Sequence, residues 1–179
     1  MPRPRFSRRR VLGSLGAAPM AAALANSASA GDSSLRATEP SVSAPRIETV
    51  LSAVLHVRLA TPADATVGSA AILGGDAHGE LAGAVQPGSL EWTRDPVRGV
   101  LQLATRFEVQ AGAGLRIHVA DRATVVAPTQ CWAVPFATTP ELTVVDGSSA
   151  ACREAVYLGR MDASQLHAGR LRLTVHRVL

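Results

Sequence analysis

The sequence predicts an all-β fold, a sandwich or a barrel, and three observations predict it. Apolar and polar residues alternate with period two through most of residues 48–179. Turn signals interrupt that alternation at short intervals, and no stretch longer than about ten residues carries a 3.6-residue period. A sheet with one greasy face must cover it. Closing the sheet into a barrel does so and also removes the exposed edges along which strands aggregate.

The first thirty residues stand apart from that body. Arg3, Arg5, Arg8, Arg9 and Arg10 form a basic leader, residues 11–25 are Gly, Ala and Leu-rich, and Ala28-Ser29-Ala30 is a small-x-small site. This order is that of a cleaved export peptide, with cleavage expected after Ala30. The paired Arg8 and Arg9, followed by Arg10, Val11 and Leu12, resemble the twin-arginine signal, with Gly13 where a lysine is frequent. That likeness favours the twin-arginine route over a Sec signal or a membrane anchor. It makes the twin-arginine translocase a transient partner and the periplasm or the medium the destination. The apolar run is shorter than the ~20 residues a spanning helix needs, and Gly13, Gly16 and Pro19 interrupt it, so stable membrane insertion is not expected. Residues 31–47 are mostly Ser, Ala, Thr and Pro with few large apolar side chains, and read as a flexible tether to a domain spanning 48–179.

The formal charge of +4 belongs to the leader. Without its five arginines, thirteen basic residues face fourteen acids, leaving a chain near −1. Past Ala30 the arginines are scattered singly in sequence, so a phosphate-binding footprint is missing and nucleic acid is not expected as a partner. Cys131 and Cys152 are the two cysteines. In an oxidising compartment they would close a loop of about 21 residues, worth about 3 kcal/mol in the chain-entropy model, and two free thiols are the alternative. No His-x-His or Cys-x-x-Cys spacing is present, so no metal is expected, and no motif implies a cofactor.

The domain's strands follow from the alternation. Leu51, Ala53, Leu55, Val57 and Leu59 share one face against Ser52, His56 and Arg58. Leu101, Leu103, Phe107 and Val109 oppose Gln102, Arg106 and Glu108; Leu115, Ile117 and Val119 oppose Arg116 and His118; Leu171, Leu173 and Val175 oppose Arg170, Arg172, Thr174 and His176. Gly74-Gly75-Asp76, Pro87-Gly88, Asp95-Pro96, Gly112-Ala113-Gly114, Thr139-Pro140, Asp146-Gly147 and Gly169 mark the turns. Asp162 to His167 has room for a single helical turn.

Four fragments in order carry a family resemblance: Gly75-Asp76-Ala77-His78-Gly79-Glu80-Leu81 running on to Gln86-Pro87-Gly88, then Glu91-Trp92, then Gly99-Val100-Leu101-Gln102-Leu103-Ala104-Thr105-Arg106-Phe107, then Phe136-Ala137-Thr138-Thr139-Pro140. Val156-Tyr157-Leu158-Gly159 and the closing Leu173 to Val178 fit the same pattern. Over residues 48–178 the chain resembles the domain-of-unknown-function 3237 family, also called uncharacterised protein family 0311. The resemblance implies a single antiparallel β-barrel of about 8–10 strands and no established reaction. Several polar positions depart from the family pattern: Glu91 stands for an Asp, Ala104-Thr105 for an acid before Arg106, Thr143 for an acid, and Arg122-Ala123 for an Arg-Gly pair.

An eight-stranded barrel either fills itself with side chains or encloses one small ligand. Trp92, Phe107, Trp132, Phe136 and Tyr157 are the residues that would wall a pocket, with Glu91, Arg106 and Thr138 as polar anchors, unless these aromatics simply fill the core. Arg106, placed opposite Glu91, would clamp a ligand carboxylate. An acid–base alternative brings His56, His118 and His176 together with Glu108 or Asp121, should their strands adjoin. No nucleophile elbow, phosphate loop or paired-carboxylate motif appears.

Three functions follow as expectations. The first is an exported barrel binding a small apolar or amphipathic molecule in or at its mouth. The second is a periplasmic lyase, isomerase or cyclase acting through Arg106, Glu91 and a histidine. The third is an assembly module with an exposed apolar face.

Overall fold

The computed structural model describes residues 44–126, 132–152 and 155–179 of the chain. The expected leader with Arg8, Arg9 and the Ala30 site, nearly all of the expected tether, and Cys131 lie outside the described residues. Nine strands run in chain order: β1 (Ile47–Leu59), β2 (Val67–His78), β3 (Gly83–Val85), β4 (Gly88–Asp95), β5 (Val100–Ala111), β6 (Arg116–Val126), β7 (Phe136–Asp146), β8 (Val156–Asp162) and β9 (Arg170–Val178). Every pairing is antiparallel, and the order β1-β9-β8-β7-β6-β5-β3-β2-β4 closes on itself because β1 also pairs with β2 and β5 with β4. The expected barrel is present, and the sandwich is not.

Nine strands make eight staves. β3 and β4 share one position between β2 and β5: β3 pairs with Gly75 to Ala77 of β2, and β4 with Val67 to Ile72. The break between them is Gln86-Pro87. Proline brings no N–H to a ladder and fits a sheet only at such an interruption. At eight staves an interior is just wide enough for side chains to fill.

Filling is what the alternation delivers. Along β5 the odd residues from Leu101 to Ala111 point inward and are buried, while Gln102, Arg106 and Gln110 project outward. Leu51, Leu55, Ile72, Leu90, Phe107, Ile117, Met161, Leu171 and Leu173 meet in the interior with exposures of 2 % or less. Each such side chain contributes about 1.5–3 kcal/mol of transfer free energy, so this core is the main stabiliser of the sheet. β1 adds a bulge between Thr49 and Leu51 and another between His56 and Val57, which keep its apolar side turned inward as the strand bends. The expected single turn is a one-turn 3-10 helix at Leu166–Ala168, ended by Gly169 in a left-handed conformation (φ 75°).

The two ends of the barrel are stoppered differently. At one, Trp92 and Trp132 meet edge to face, 5.7 Å apart and 81° inclined. Trp92 Nε1 donates to the Ala65 carbonyl (3.2 Å) and Trp132 Nε1 to that of Ala63 (2.9 Å), so both indoles are held by the loop between β1 and β2. At the other, Arg177 Nη2 bonds Glu48 Oε2 (3.0 Å) and Glu80 Oε2 (3.2 Å). Tyr157 is its cross-strand neighbour on β8. Cys152 is half-buried nearby with a free thiol, and burial pushes that thiol's pKa up.

Candidate functional site

The register of four neighbouring strands builds a groove on the outer wall. Ser69 of β2 pairs with Glu91 of β4, Glu91 with Ala104 of β5, and Ala104 with Arg122 of β6, so the four form one rung. The next rung is Val67, Thr93, Gln102 and Thr124. Where Ala104 stands between two long side chains the floor is low. The hollow measures about 610 Å³, and Thr61, Gly68 and Trp92 also line it. That volume is within the range of small-molecule sites.

Glu91 and Arg122 lie two strand spacings apart, about 10 Å at the backbone. No ion pair joins them among the described residues. The groove therefore offers a carboxylate and a guanidinium on opposite banks of an apolar floor. It suits a molecule that is apolar in the middle and polar at its ends.

The other expected site residues are not gathered into one pocket. Phe107, Phe136 and Thr138 are buried in the core, so Phe107 and Phe136 act as filler. Trp132 belongs to the stopper over Trp92, and Tyr157 to the opposite end. Arg106 does project outward, but its partners are Ser89 and Ala120, one rung away from Glu91. It borders a separate shallow hollow of about 270 Å³ with Glu108 and His118. The expected Arg106–Glu91 opposition fails because a two-residue pleat repeat offsets them. The arginine on Glu91's rung is Arg122, which only the β5–β6 register reveals.

The histidine constellation is likewise not assembled. His118 faces Glu108 across β5 and β6, His176 Nδ1 lies 3.0 Å from Thr49 Oγ1, and His56 faces Arg170. Asp121, expected to join them on the polar side, points inward instead. Ile117, Val119 and Asp121 share parity along β6, and that parity is the sequence signal for its position.

Among the described residues, Asp121 is the acid that the fold perturbs most. It is 1 % exposed and faces Thr105 across the ladder, with Thr138 buried on the neighbouring strand β7. Burial pushes its pKa from 3.8 up to about 6, against a partial downward pull from the Thr138 hydroxyl and the Arg122 backbone N–H. Neither carboxyl oxygen closes a well-aligned hydrogen bond, and the hydroxyls of Thr105 and Thr138 are unpartnered too. Desolvation wins for that reason. Gly159 of β8 makes the trio possible: a Cβ there would strike Thr138 Oγ1. Arg122 and Asp121 are adjacent in sequence, so one strand sends a guanidinium into the groove and an acid into the core.

No family model matches the chain, and no curated protein does. Solved structures do share the fold. A conserved protein of unknown function from Rhodopseudomonas palustris has a TM-score of 0.61 at 20% identity, over 76% of this chain and 98% of that one. A β-barrel-like protein from Acinetobacter baumannii has a TM-score of 0.57 at 12% identity, over 76% and 97%. A structure described as an enzyme, from Penicillium herquei, has a TM-score of 0.53 at 16% identity, over 75% and 95%. At these identities the likeness extends to the fold and not to an activity.

Proposed function

We propose that this chain is an exported β-barrel protein, of the domain-of-unknown-function 3237 family, that binds a small amphipathic molecule in the groove between Glu91 and Arg122. The observation that carries the reading is the groove itself: about 610 Å³, with opposite charges on its two banks and a floor of small side chains between them. The site is moved from the barrel's interior, which leucine, isoleucine and phenylalanine occupy, to its outer wall. A ligand carboxylate would meet Arg122 in a charge-assisted, bidentate bond, and a hydroxyl or amine would donate to Glu91.

Catalysis is the second reading, favoured by the shared fold of the Penicillium herquei enzyme. Among the described residues no nucleophile meets a base in the groove, so binding is the stronger of the two.

The two tryptophans make the test direct, since Trp92 lines the groove and contacts Trp132. Titrating benzoate, cinnamate and their amino-substituted forms is expected to change indole emission with saturation. Arg122→Ala should weaken that response about tenfold or more, the size of a lost charged hydrogen bond. Arg106→Ala, one rung away, should leave it unchanged. A flat titration across the series, or equal losses in the two variants, would refute the groove as the site.

The export route has its own readout. Arg8→Lys/Arg9→Lys is expected to keep the protein in the cytoplasm on cell fractionation, while the unaltered chain is recovered outside the inner membrane, shortened at Ala30. Export of the doubly substituted chain at the unaltered rate would refute the twin-arginine assignment.

A further inference from the structure

Arginines that stand singly in the sequence are brought together by the fold. Arg58 on β1, Arg160 on β8 and Arg170 and Arg172 on β9 alternate with buried residues and so project from the outer wall. The registers set them in order. Arg160 faces Thr174, Arg172 lies between Asp162 and Val54, Arg170 faces His56, and Arg58 stands two residues past His56. Each step is two residues along β9, about 7 Å, so four guanidinium groups climb a strip about 20 Å long and three strands wide.

The strip carries four positive charges against a single carboxylate, Asp162. Ser164 donates to it, its backbone N–H at 3.0 Å, and Arg172 and Arg160 also help to keep it ionised. Among the described residues none of the four arginines enters an ion pair, whereas Arg98, Arg116 and Arg177 all do. A domain whose overall charge is near zero has thus gathered four of its arginines on one wall.

We infer that this strip docks the protein on an anionic phospholipid surface. Three observations choose a lipid surface over other anions. The hollow beside Arg170 and Arg172 holds about 40 Å³, too little to enclose a soluble organic anion. No tryptophan, tyrosine or phenylalanine stands on the strip to stack the bases of a single-stranded nucleic acid. The wall of a barrel is convex, and lipid phosphates diffuse laterally, so each guanidinium recruits its own phosphate without the fixed spacing a polymer would impose. The association is peripheral and reversible, held mainly by charge, with Val156 and Leu158 the exposed apolar side chains on the same face of β8 as Arg160. Each arginine contributes about fivefold to the partition, and salt screens it.

The test is co-sedimentation of the full-length chain with vesicles of phosphatidylglycerol and phosphatidylcholine. Arg3, Arg5, Arg8, Arg9 and Arg10 are replaced by serine in every sample, so that the leader adds no charge of its own. Arg170→Ser/Arg172→Ser should lower the partition about 30-fold at low salt. Arg98→Ser/Arg106→Ser removes the same charge from the other side of the barrel and should leave it unchanged, with thermal unfolding confirming that both variants fold. High salt should release the protein in all cases. The inference is overturned if the parent chain does not sediment, if it binds phosphatidylcholine vesicles equally, or if the two double variants lose equally. It is also overturned if single-stranded DNA or a sulfated polysaccharide is bound at the same salt while the vesicles are not.

Discussion

Asp121→Asn is expected to stabilise the barrel by about 2 kcal/mol at pH 8 and by much less near pH 4. The acid's pKa is raised on folding, from 3.8 to about 6. The folded chain therefore binds its proton more tightly than the unfolded one. The associated stability is fully present below the unfolded value and is lost as pH rises through the folded value. Above about pH 6 the charge must be carried inside the barrel, a cost of about 3 kcal/mol at 1.36 kcal/mol per unit. Asparagine removes the charge but keeps polar atoms beside Thr105 and Thr138, so part of that sum is recovered and not all. The measurement is urea unfolding of both chains from pH 4 to pH 8. The unaltered chain should lose stability relative to the variant across this range, with most of the divergence between about pH 4 and 6. Parallel curves would mean that Asp121 keeps an ordinary carboxyl in the fold.

That acid also marks how far the sequence alone reaches. Parity within a strand is legible: Leu101, Leu103, Phe107 and Val109 declare the inner face of β5, and the same count assigns Thr105 and Asp121 to the interior. Their burial is an intrinsic conflict with composition, since a carboxylate and two threonines sit where the pattern asks for hydrocarbon. The turns and the alternation leave sandwich and barrel both open, the family resemblance implies the barrel, and the split of one stave at Gln86-Pro87 is not legible because period two continues on either side of it.

What parity cannot supply is register. Glu91 shares a rung with Arg122 rather than Arg106 because β4 and β5 are offset by one pleat repeat and β6 extends the row. Thirty-one positions of sequence separate the two banks of the groove, and each intervening pairing depends on turn geometry that composition does not encode. The arginine strip is a stronger case. Arg58 and Arg172 lie on strands that meet only when the barrel closes, so no local window contains them, and arginines scattered along the domain's sequence become neighbours in space. Sequence spacing therefore identifies faces, and long-range pairing decides which residues on those faces become neighbours.

Gly68→Ala is expected to destabilise the fold by about 3 kcal/mol and to disable the groove at the same time. Gly68 faces inward from β2 beneath the Trp92 indole, and a Cβ there would overlap Trp92 Cζ2 and Cε2 as well as Thr61 Oγ1. The backbone conformation is open to alanine, so the obstacle is space alone. The ring has little freedom to retreat: its Nε1 donates to the Ala65 carbonyl and it packs against the Trp132 ring. Displacing it breaks a hydrogen bond and an aromatic pair, and it shifts the stretch of β2 and β4 with which Gly68 and Trp92 line the groove. Unfolding free energies and indole emission report both effects. A double-mutant cycle identifies the cause, since Trp92→Leu removes the colliding ring. In that background Gly68→Ala should cost at least 1 kcal/mol less than in the parent chain. Additive losses would show that glycine is needed at position 68 for a reason other than the indole above it.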